Sequence, residues 1–321
     1  MPGLFRPWRS RRAVRLFLCQ ARVVQFGVSV SGAATGVEWR EKALRYEAAG
    51  FDYLQVADHV GFFDPFAAAV AAADVTSRLR VGSLVLNIGF WNPLLLARAA
   101  VTAALLTDGR FVLGLGAGHA QVEFEQAGLD YPPAGDRVRR LAGVLRALRR
   151  LSQGETVTDR ELGLRQAKLG LPATRLPFLV GGNGRGVLDV AGRDADMVSL
   201  VGFTSGTGQT HTDLSHWSWD GLENRIELVR AAARERIAPP HIHILVQFAA
   251  QTADPLNAVS GWAGKNDPMP ERHLDSPFIL VGDEQQIAAH LDRLTRLGVE
   301  SITVFEHSAD VVTHILAQQK T

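Results

Sequence analysis

The feature that most constrains this chain is a repeated alternation between short runs of β-branched and apolar residues and longer segments of helical periodicity. A strand followed by a helix is the unit of a parallel sheet, because the helix returns the chain to the edge where the next parallel strand begins. The pattern starts at Val23 and predicts eight strands. They are VVQFGVSV, FDYLQVAD, RLRVGSLVLN, RFVLGLGAG, LPFLVGG, ADMVSLVG, HIHILVQFAAQ and ESITVFE.

A helix is predicted after each strand. The predicted helices span 37–49, 65–76, 93–107, 136–151, 184–192, 220–235, 254–263 and 309–318. Asn92 is expected to cap the third helix with Pro93 at its first position, and Asp283 to cap an additional helix after SPFILVG. Eight unbroken βα units favour an α/β protein with a closed (β/α)8 TIM barrel and insertions in the βα loops. We therefore expect one barrel domain over 23–321.

Residues 1–22 form a basic leader with six Arg and no acidic residue, which leaves the rest of the chain with 28 Lys and Arg against 33 Asp and Glu. A nucleic-acid partner is not expected, because the folded body lacks the basic excess that such a partner requires. We interpret the leader as a disordered tail, and whether it is instead an export signal stays open. No apolar run reaches the roughly 18 residues that span a bilayer, so we expect a cytoplasmic protein with no membrane partner.

Barrel chemistry lies where strands end and βα loops begin, so the residues after each strand are the candidates for function. Asp58 and His59 follow the second strand, and a histidine there can exchange a proton, although a capping role fits equally well. Asn87 ends the third strand, where its amide either contacts the edge of a planar ligand or stabilises a turn.

The fourth strand ends in GLGAGH. Gly116 and Gly118 would let a flat ring approach the backbone, and His119 adds a second titratable group. The glycine spacing also matches half of a dinucleotide-binding fingerprint. The acidic residue that this fingerprint requires about twenty positions further on has no convincing counterpart, which argues against a Rossmann fold.

The fifth strand runs through GGNGRG into a helix. Backbone N–H groups at a glycine-rich helix start form a phosphate cradle, and a plain tight turn is the alternative. The polar loop over 202–219 is predicted to be a mobile cover of the site. His241 and His243 share one face of a strand but lack a third ligand, and Cys19 is the only cysteine, so no metal is expected.

Four blocks of the chain, taken in order, resemble the luciferase-like flavin and deazaflavin oxidoreductases, and in particular their branch that uses the deazaflavin coenzyme F420. The blocks are FDYLQVADH, RLRVGSLVLNIGFWNPLLLARAA, LTDGRFVLGLGAGHAQVEFEQAG and PFLVGGNGRGVLDVAGRDADMVSL, and the resemblance extends over about 23–320. It implies a non-prolyl cis peptide at Leu84–Val85 against the coenzyme ring, and His59 beside the reactive carbon of the ring.

The resemblance implies a set of site residues. The predicted catalytic residues are His59 and His119, and Phe63 and Trp91 are predicted to face the substrate. The predicted cofactor-binding residues are Asp58, His59, Leu84, Val85, Asn87, Gly116, Gly118, Gly181, Gly182, Asn183 and Gly184. The last four would hold the coenzyme phosphate.

The function implied is transfer of a hydride between coenzyme F420 and a small organic substrate. One alternative is an FMN-dependent luciferase-like monooxygenase that uses reduced flavin and O₂, and another is a non-catalytic flavin- or deazaflavin-binding protein. Some family members have Glu where this chain has His119 and Trp where it has Phe63, so the proton-transfer partner differs and sugar-phosphate oxidation is not expected. A homodimer paired through barrel helices is also implied.

Overall fold

The computed structural model describes residues 24–202, 216–264 and 269–318. Within these ranges, eight parallel strands pair with their neighbours in chain order, and the last strand pairs with the first, which closes the sheet. The predicted (β/α)8 barrel is confirmed, and each predicted strand contributes to it. The strands are β1 (Gln25–Ser29), β2 (Tyr53–Val56), β3 (Arg80–Ser83), β4 (Phe111–Gly116), β5 (Phe178–Gly181), β6 (Met197–Val201), β7 (His241–Val246) and β8 (Val299–Phe305).

Ten α-helices occur in the described ranges, and those between the strands cover the outside of the barrel. Asn92 accepts hydrogen bonds from the backbone N–H groups of Leu94 and Leu95, and Asp283 forms a capping box with Gln286, so both predicted caps are confirmed. The helices are α1 (Gly36–Ala49), α2 (Pro65–Val75), α3 (Pro93–Leu106), α4 (Gln121–Gln126), α5 (Ala134–Ser152), α6 (Arg185–Asp194), α7 (Trp219–Ala232), α8 (Pro255–Ala263), α9 (Glu284–Leu297) and α10 (Ala309–Gln318).

Two predicted strands are interrupted. RLRVGSLVLN breaks at a cis peptide after Ser83, and a short strand, Leu86–Asn87, then pairs with β4. HIHILVQFAAQ leaves the barrel after Val246, because the backbone N–H of Gln247 donates to the carbonyl of Phe278 at 2.8 Å. The remaining segment, Phe248–Gln251, pairs with Ile279–Gly282 in a separate two-stranded parallel sheet. This insertion lies in the connection from β7 to α9.

A second insertion lies in an αβ connection rather than in a βα loop. The strands Val157–Asp159 and Leu164–Ala167 form an antiparallel hairpin between α5 and β5. The sequence prediction of insertions placed them only in βα loops. The hairpin is held to the body by buried apolar side chains, including Val157, Leu162 and Leu164.

Close packing of two strands depends on glycine. A Cβ on Gly82 of β3 would lie 2.0 Å from the backbone oxygen of Val112, and one on Gly114 of β4 would lie 2.0 Å from that of Ser83. Any side chain at either position would therefore push β3 and β4 apart. This close approach keeps the loops that follow the two strands together at one side of the barrel mouth.

Two of the sequence predictions fall outside the described residues: the basic leader over 1–22, and the predicted cover over 202–219 for the part between 203 and 215. Among the helices in the described ranges, none has the length and apolarity that a bilayer crossing requires.

Candidate active site

The predicted site residues follow four adjacent strands, β2 to β5, at their carboxyl ends. Asp58 and His59 follow β2 after one intervening residue, and Val85 lies between β3 and its short continuation. His119 follows β4, and Gly181 is the last residue of β5. Because these strands are neighbours in the barrel, the structure gathers the four groups at one sector of the mouth.

The peptide bond between Leu84 and Val85 is cis, which is the geometry that the family resemblance implies. Val85 packs over two glycines of neighbouring strands. A Cβ on Gly116 would lie 2.7 Å from Val85 Cγ2, and one on Gly181 would lie 3.0 Å from Val85 Cγ1. The glycines thus leave room for Val85, whose side chain is only partly buried.

Asp58 connects the loops after β2 and β3. Its Oδ2 accepts hydrogen bonds from the backbone N–H of Asn87 at 3.1 Å and from Trp91 Nε1 at 3.0 Å. Burial raises the pKa of Asp58, and the two donors oppose this effect. The carboxyl group therefore holds the loop that carries Asn87, and its contact with a coenzyme stays a prediction.

Asn87 is 8% exposed, and its Oδ1 accepts from the backbone N–H of Gly89 at 3.0 Å. The side-chain oxygen thus stabilises a turn, as one of the two predicted roles requires. Gly118 lies against it, because a Cβ there would be 2.3 Å from Asn87 Oδ1 and the backbone of Gly118 has a φ of +82°. A contact between Asn87 and the edge of a ring stays a prediction.

His59 and His119 meet at the mouth together with a carboxylate. His59 Nδ1 lies 2.8 Å from Oε1 of Glu123 on α4, and the rings of His59 and His119 are 5.9 Å apart and perpendicular. Loss of solvent around the ring lowers the pKa of His119, the charges of His59 and Arg137 lower it further, and Glu123 opposes them. Two imidazoles beside one carboxylate form a set that can hold and move a proton.

The chain passes from β5 into α6 through a glycine-rich turn. Gly184 is the N-cap of α6, and among the described residues no side chain accepts a hydrogen bond from the first-turn N–H groups. A Cβ on Gly184 would meet no atom within 4 Å, so the space beside the helix start is open. Uncapped N–H groups at a helix start favour an anion, and this geometry fits the predicted phosphate cradle of Gly181, Gly182, Asn183 and Gly184.

A buried arginine supports this turn. Arg225 on α7 is 2% exposed, and burial lowers its pKa to about 10. Its Nη1 donates to Asn183 Oδ1 and, at 2.7 Å, to the carbonyl of Val201, while its Nη2 donates to the carbonyl of His216 at 2.7 Å. Because one guanidinium spans these acceptors, Arg225 fixes the turn to β6 and to the residues that precede α7.

The two residues predicted to face the substrate have different surroundings. Phe63 is 37% exposed, and its ring packs 5.5 Å from that of Trp39. Trp91 is less exposed, donates to Asp58 and packs 5.3 Å from the ring of Phe66. Phe63 is therefore available at the surface of the mouth, whereas Trp91 supports Asp58, and the contact of each with a substrate stays a prediction.

His241 and His243 belong to a polar network inside the barrel. His241 Nε2 lies 2.9 Å from Ser301 Oγ, and His243 lies between Ser199 Oγ at 2.8 Å and Thr303 Oγ1 at 2.9 Å. Each histidine thus has a hydroxyl partner on a neighbouring strand. Within the described ranges, no cluster of three or more His, Cys, Asp or Glu side chains could hold a metal ion.

Sequence reasoning missed two residues of this site, Glu123 and Arg225. The signal for Glu123 was its place four residues after His119 and seven residues after the end of β4, in the first turn of α4. The signal for Arg225 was its position within the buried stripe of α7, next to Ile226 and one turn before Val229. A cation on an apolar helix face needs buried acceptors, and the turn before α6 supplies one of them.

The fold and the strand-end site define a (β/α)8 barrel with a cis peptide after β3 and a glycine-rich turn after β5. The chain belongs to the family described as luciferase-like monooxygenases, whose model matches residues 23–260.

Two curated relatives illustrate the similarity of the chain to named enzymes. The chain is 34% identical over 188 residues to an F420-dependent glucose-6-phosphate dehydrogenase of Amycolatopsis mediterranei, an alignment that covers 54% of this chain and 55% of the relative. It is 30% identical over 156 residues to a 5,10-methylenetetrahydromethanopterin reductase of Archaeoglobus fulgidus, with 48% and 46% covered. The chain thus spans about half the length of these curated relatives.

Solved structures share the fold over most of the chain. An F420-dependent secondary alcohol dehydrogenase in complex with an F420–acetone adduct superposes with a TM-score of 0.70 and 19% identity, covering 88% of this chain and 93% of that one. An F420-dependent tetrahydromethanopterin reductase from Methanopyrus kandleri gives a TM-score of 0.71 and 16% identity, with the same coverage. At these identities the likeness establishes the fold alone.

Proposed function

We propose that this protein is an F420-dependent oxidoreductase that transfers a hydride between the deazaflavin and a small organic substrate. The observation that carries the proposal is the continuous strand-end surface from His59, across Val85, to the open start of α6. Along this surface, His59 offers a group that can exchange a proton, Val85 an apolar slot, and the start of α6 an anion site. The F420-dependent glucose-6-phosphate dehydrogenases among the curated relatives support the same proposal.

The residues fit this coenzyme. Gly116 and Gly181 leave room for the methyl groups of Val85, and the partly exposed Val85 side chain offers an apolar surface against which a flat ring can lie. The uncapped start of α6 would take the phosphate, with Gly182 and Asn183 in the turn before it. When bound, the deazaflavin supplies the carbon that accepts or donates the hydride. The chain supplies orientation of the ring and proton exchange at the nitrogen atoms of His59 and His119.

The substrate proposed is uncharged or weakly polar. Val60, Phe62 and Phe63 in the loop after β2 are all exposed apolar side chains next to His59. Two arginines that border the site are already engaged. Arg137 donates to the carbonyl of Gly118 at 3.0 Å, and Arg140 donates to the carbonyl of Trp91 at 2.9 Å. An apolar rim suits a hydrophobic alcohol or carbonyl better than a sugar phosphate.

Titration of the cofactor-free protein with F420 and, separately, with FMN tests the proposal by fluorescence. We expect saturable binding of F420 at micromolar concentration or below and weaker binding of FMN. A preference for FMN would favour the monooxygenase, and absence of binding by both would refute the proposal. His59→Ala separates the remaining alternative, because a non-catalytic binding protein would lose nothing measurable, whereas an oxidoreductase would lose turnover and keep its affinity for F420.

The phosphate position has its own matched pair of variants. Gly184 has an ordinary extended backbone, with φ −67° and ψ 141°, and free space around its Cα. Gly184→Asn and Gly184→Asp would both cap α6, but only Asp adds a negative charge beside the proposed phosphate. We expect the affinity for F420 to be at least about tenfold weaker for Asp than for Asn. Equal affinities would place the phosphate elsewhere.

We also propose that the protein forms a homodimer through α2 and α3. A shallow groove between these helices is lined mainly by small and apolar side chains, including Phe66, Val70, Ala71, Ala99 and Ala103. Such a surface suits close helix packing against a second copy. Light scattering should give twice the mass of one chain for the protein, and Ala99→Glu should shift it to the mass of a monomer.

A further inference from the structure

We propose that Glu123 is a positioning residue that fixes His59 in one tautomer and makes His59, rather than His119, the imidazole that exchanges protons at the site. This inference rests on the proposed function, because it assigns roles within the same site. The contact that carries it is the 2.8 Å approach of His59 Nδ1 to Glu123 Oε1. A carboxylate only accepts hydrogen bonds, so Nδ1 carries the proton and the lone pair lies on Nε2.

The surroundings of His59 leave Nε2 accessible. The side chain of His59 is 35% exposed, and that of Glu123 is 16% exposed. Among the described residues, no hydrogen bond to His59 Nε2 is found. The ring is held on its other side by Phe62, whose ring lies 5.3 Å away and nearly perpendicular. A ring fixed at Nδ1 and open at Nε2 can take up or release one proton toward a ligand, and no electron moves in this step.

The charges near the pair differ between the two histidines. Two groups face His59: Glu123 on α4, and His119 in the loop after β4. Asp58 precedes His59 in the loop after β2. His119 faces the charge of His59 and, from α5, that of Arg137, and both disfavour its protonated form. The carboxylate of Glu123 contacts His59 directly, whereas its effect on His119 is that of a charge at longer range. The protonated form of His119 is therefore disfavoured, and the carboxylate of Glu123 pairs with His59 rather than with His119.

Three variants test the assignment. Glu123→Gln keeps a hydrogen-bond acceptor and removes the charge, Glu123→Ala removes both, and Glu123→Asp restores the charge. Glu125→Gln is the matched control, because Glu125 lies on the same helix, is exposed and is bonded to Gln121 at 2.8 Å rather than to a histidine. Histidine ¹⁵N chemical shifts of the cofactor-free protein report the tautomer of His59, and His59→Gln assigns its signals.

We expect a predominantly Nδ1-protonated His59 in the wild-type protein and in Glu123→Gln, and a mixture of tautomers in Glu123→Ala. Glu123→Asp, which keeps the carboxylate on a shorter side chain, should retain more of the Nδ1-protonated form than Glu123→Ala. Turnover of Glu123→Gln and Glu123→Ala should fall about tenfold or more, with KM nearly unchanged. Glu125→Gln should change none of these quantities.

The assignment is overturned if Glu123→Ala leaves His59 predominantly protonated at Nδ1, if Glu125→Gln changes the tautomer equally, or if His119→Gln lowers turnover as much as His59→Gln does. The tautomer measurement needs no coenzyme, so it decides the pairing by itself. Failure of the wild-type protein to bind F420 would refute the proposed function instead, whichever tautomer His59 shows.

Discussion

The most quantitative prediction concerns His243 inside the barrel, which is 1% exposed. The Thr303 hydroxyl donates to Gln55 Oε1 at 2.9 Å, so it accepts from His243 Nε2–H, and the Ser199 hydroxyl donates to Nδ1. The neutral ring is thus fully bonded, and a second proton would be placed against Ser199 without a carboxylate partner. Burial, followed by the charge of His241, lowers the pKa of His243 to about 3.

The size of the effect follows from the two states. In the unfolded chain the histidine pKa is about 6.5, so below this value the unfolded state binds a proton that the folded state excludes until pH about 3. The contribution of the neutral His243 ring to the free energy of unfolding is therefore fully present above pH about 6.5 and is lost as the pH falls toward about 3. Each pH unit within this window costs about 1.4 kcal/mol, so the change from pH 6.5 to 4.5 costs between about 2 and 3 kcal/mol.

The test compares the pH dependence of stability in the wild-type protein and in His243→Gln. Urea unfolding, followed by tryptophan fluorescence and circular dichroism, gives the free energy of unfolding at pH 7.5, 6.5, 5.5 and 4.5. The variant should be less stable at pH 7.5, because its network is altered, but its stability should fall less steeply below pH 6.5, by about 1.4 kcal/mol per unit.

Contributions from carboxylates and from other histidines, such as the partly buried His290, cancel when the two slopes are compared. His314→Gln is the control, because His314 is exposed on α10, and its slope should equal that of the wild type. Parallel slopes for the wild type and His243→Gln would refute the argument that the buried ring excludes the proton.

Three further predictions concern packing and hydrogen bonds around the site. Gly114→Ala should destabilise the protein by more than about 2 kcal/mol in urea unfolding, because its Cβ would lie 2.0 Å from the Ser83 oxygen, whereas Gly61→Ala, which meets no atom within 4 Å, should change little. A small effect at Gly114 would mean that β3 and β4 separate easily. Arg225→Lys should lower the melting temperature and weaken F420 binding about tenfold, since one ammonium cannot span the acceptors on Asn183, Val201 and His216. Unchanged affinity for F420 would show that the turn before α6 holds its shape without the guanidinium. Trp91→Phe should lower the free energy of unfolding by about 1–2 kcal/mol, because it removes the hydrogen bond that Trp91 donates to Asp58 at 3.0 Å. The double variant Trp91→Phe, Asp58→Asn should recover part of this loss. If it recovers none, the lost hydrogen bond to Asp58 is not the cause.

The barrel was predictable from the sequence because each of its strands is covered on both faces and therefore reads as an apolar run. Capping chemistry is equally local, so Asn92 and Asp283 could be assigned to helix starts from a few neighbouring residues. The end of β7 was not predictable in this way. HIHILVQFAAQ contains no turn-forming Gly, Pro, Asn or Asp, and only the pairing of Phe248–Gln251 with a strand some thirty residues later decides where the barrel strand stops.

The same difference between local and long-range features separates the site residues that were predicted from those that were not. Residues that act from a strand end, such as His59 and Gly182, are marked by the periodic pattern, because the pattern says where every strand ends. Glu123 and Arg225 act across elements, one from α4 toward the loop after β2 and the other from α7 toward the turn after β5. Nothing in the spacing of a single segment records such a contact, since the partner lies 64 residues away for Glu123 and 42 for Arg225. The strand-end histidines therefore indicate where protons are exchanged, and only the cross-element carboxylate indicates which of the two imidazoles exchanges them.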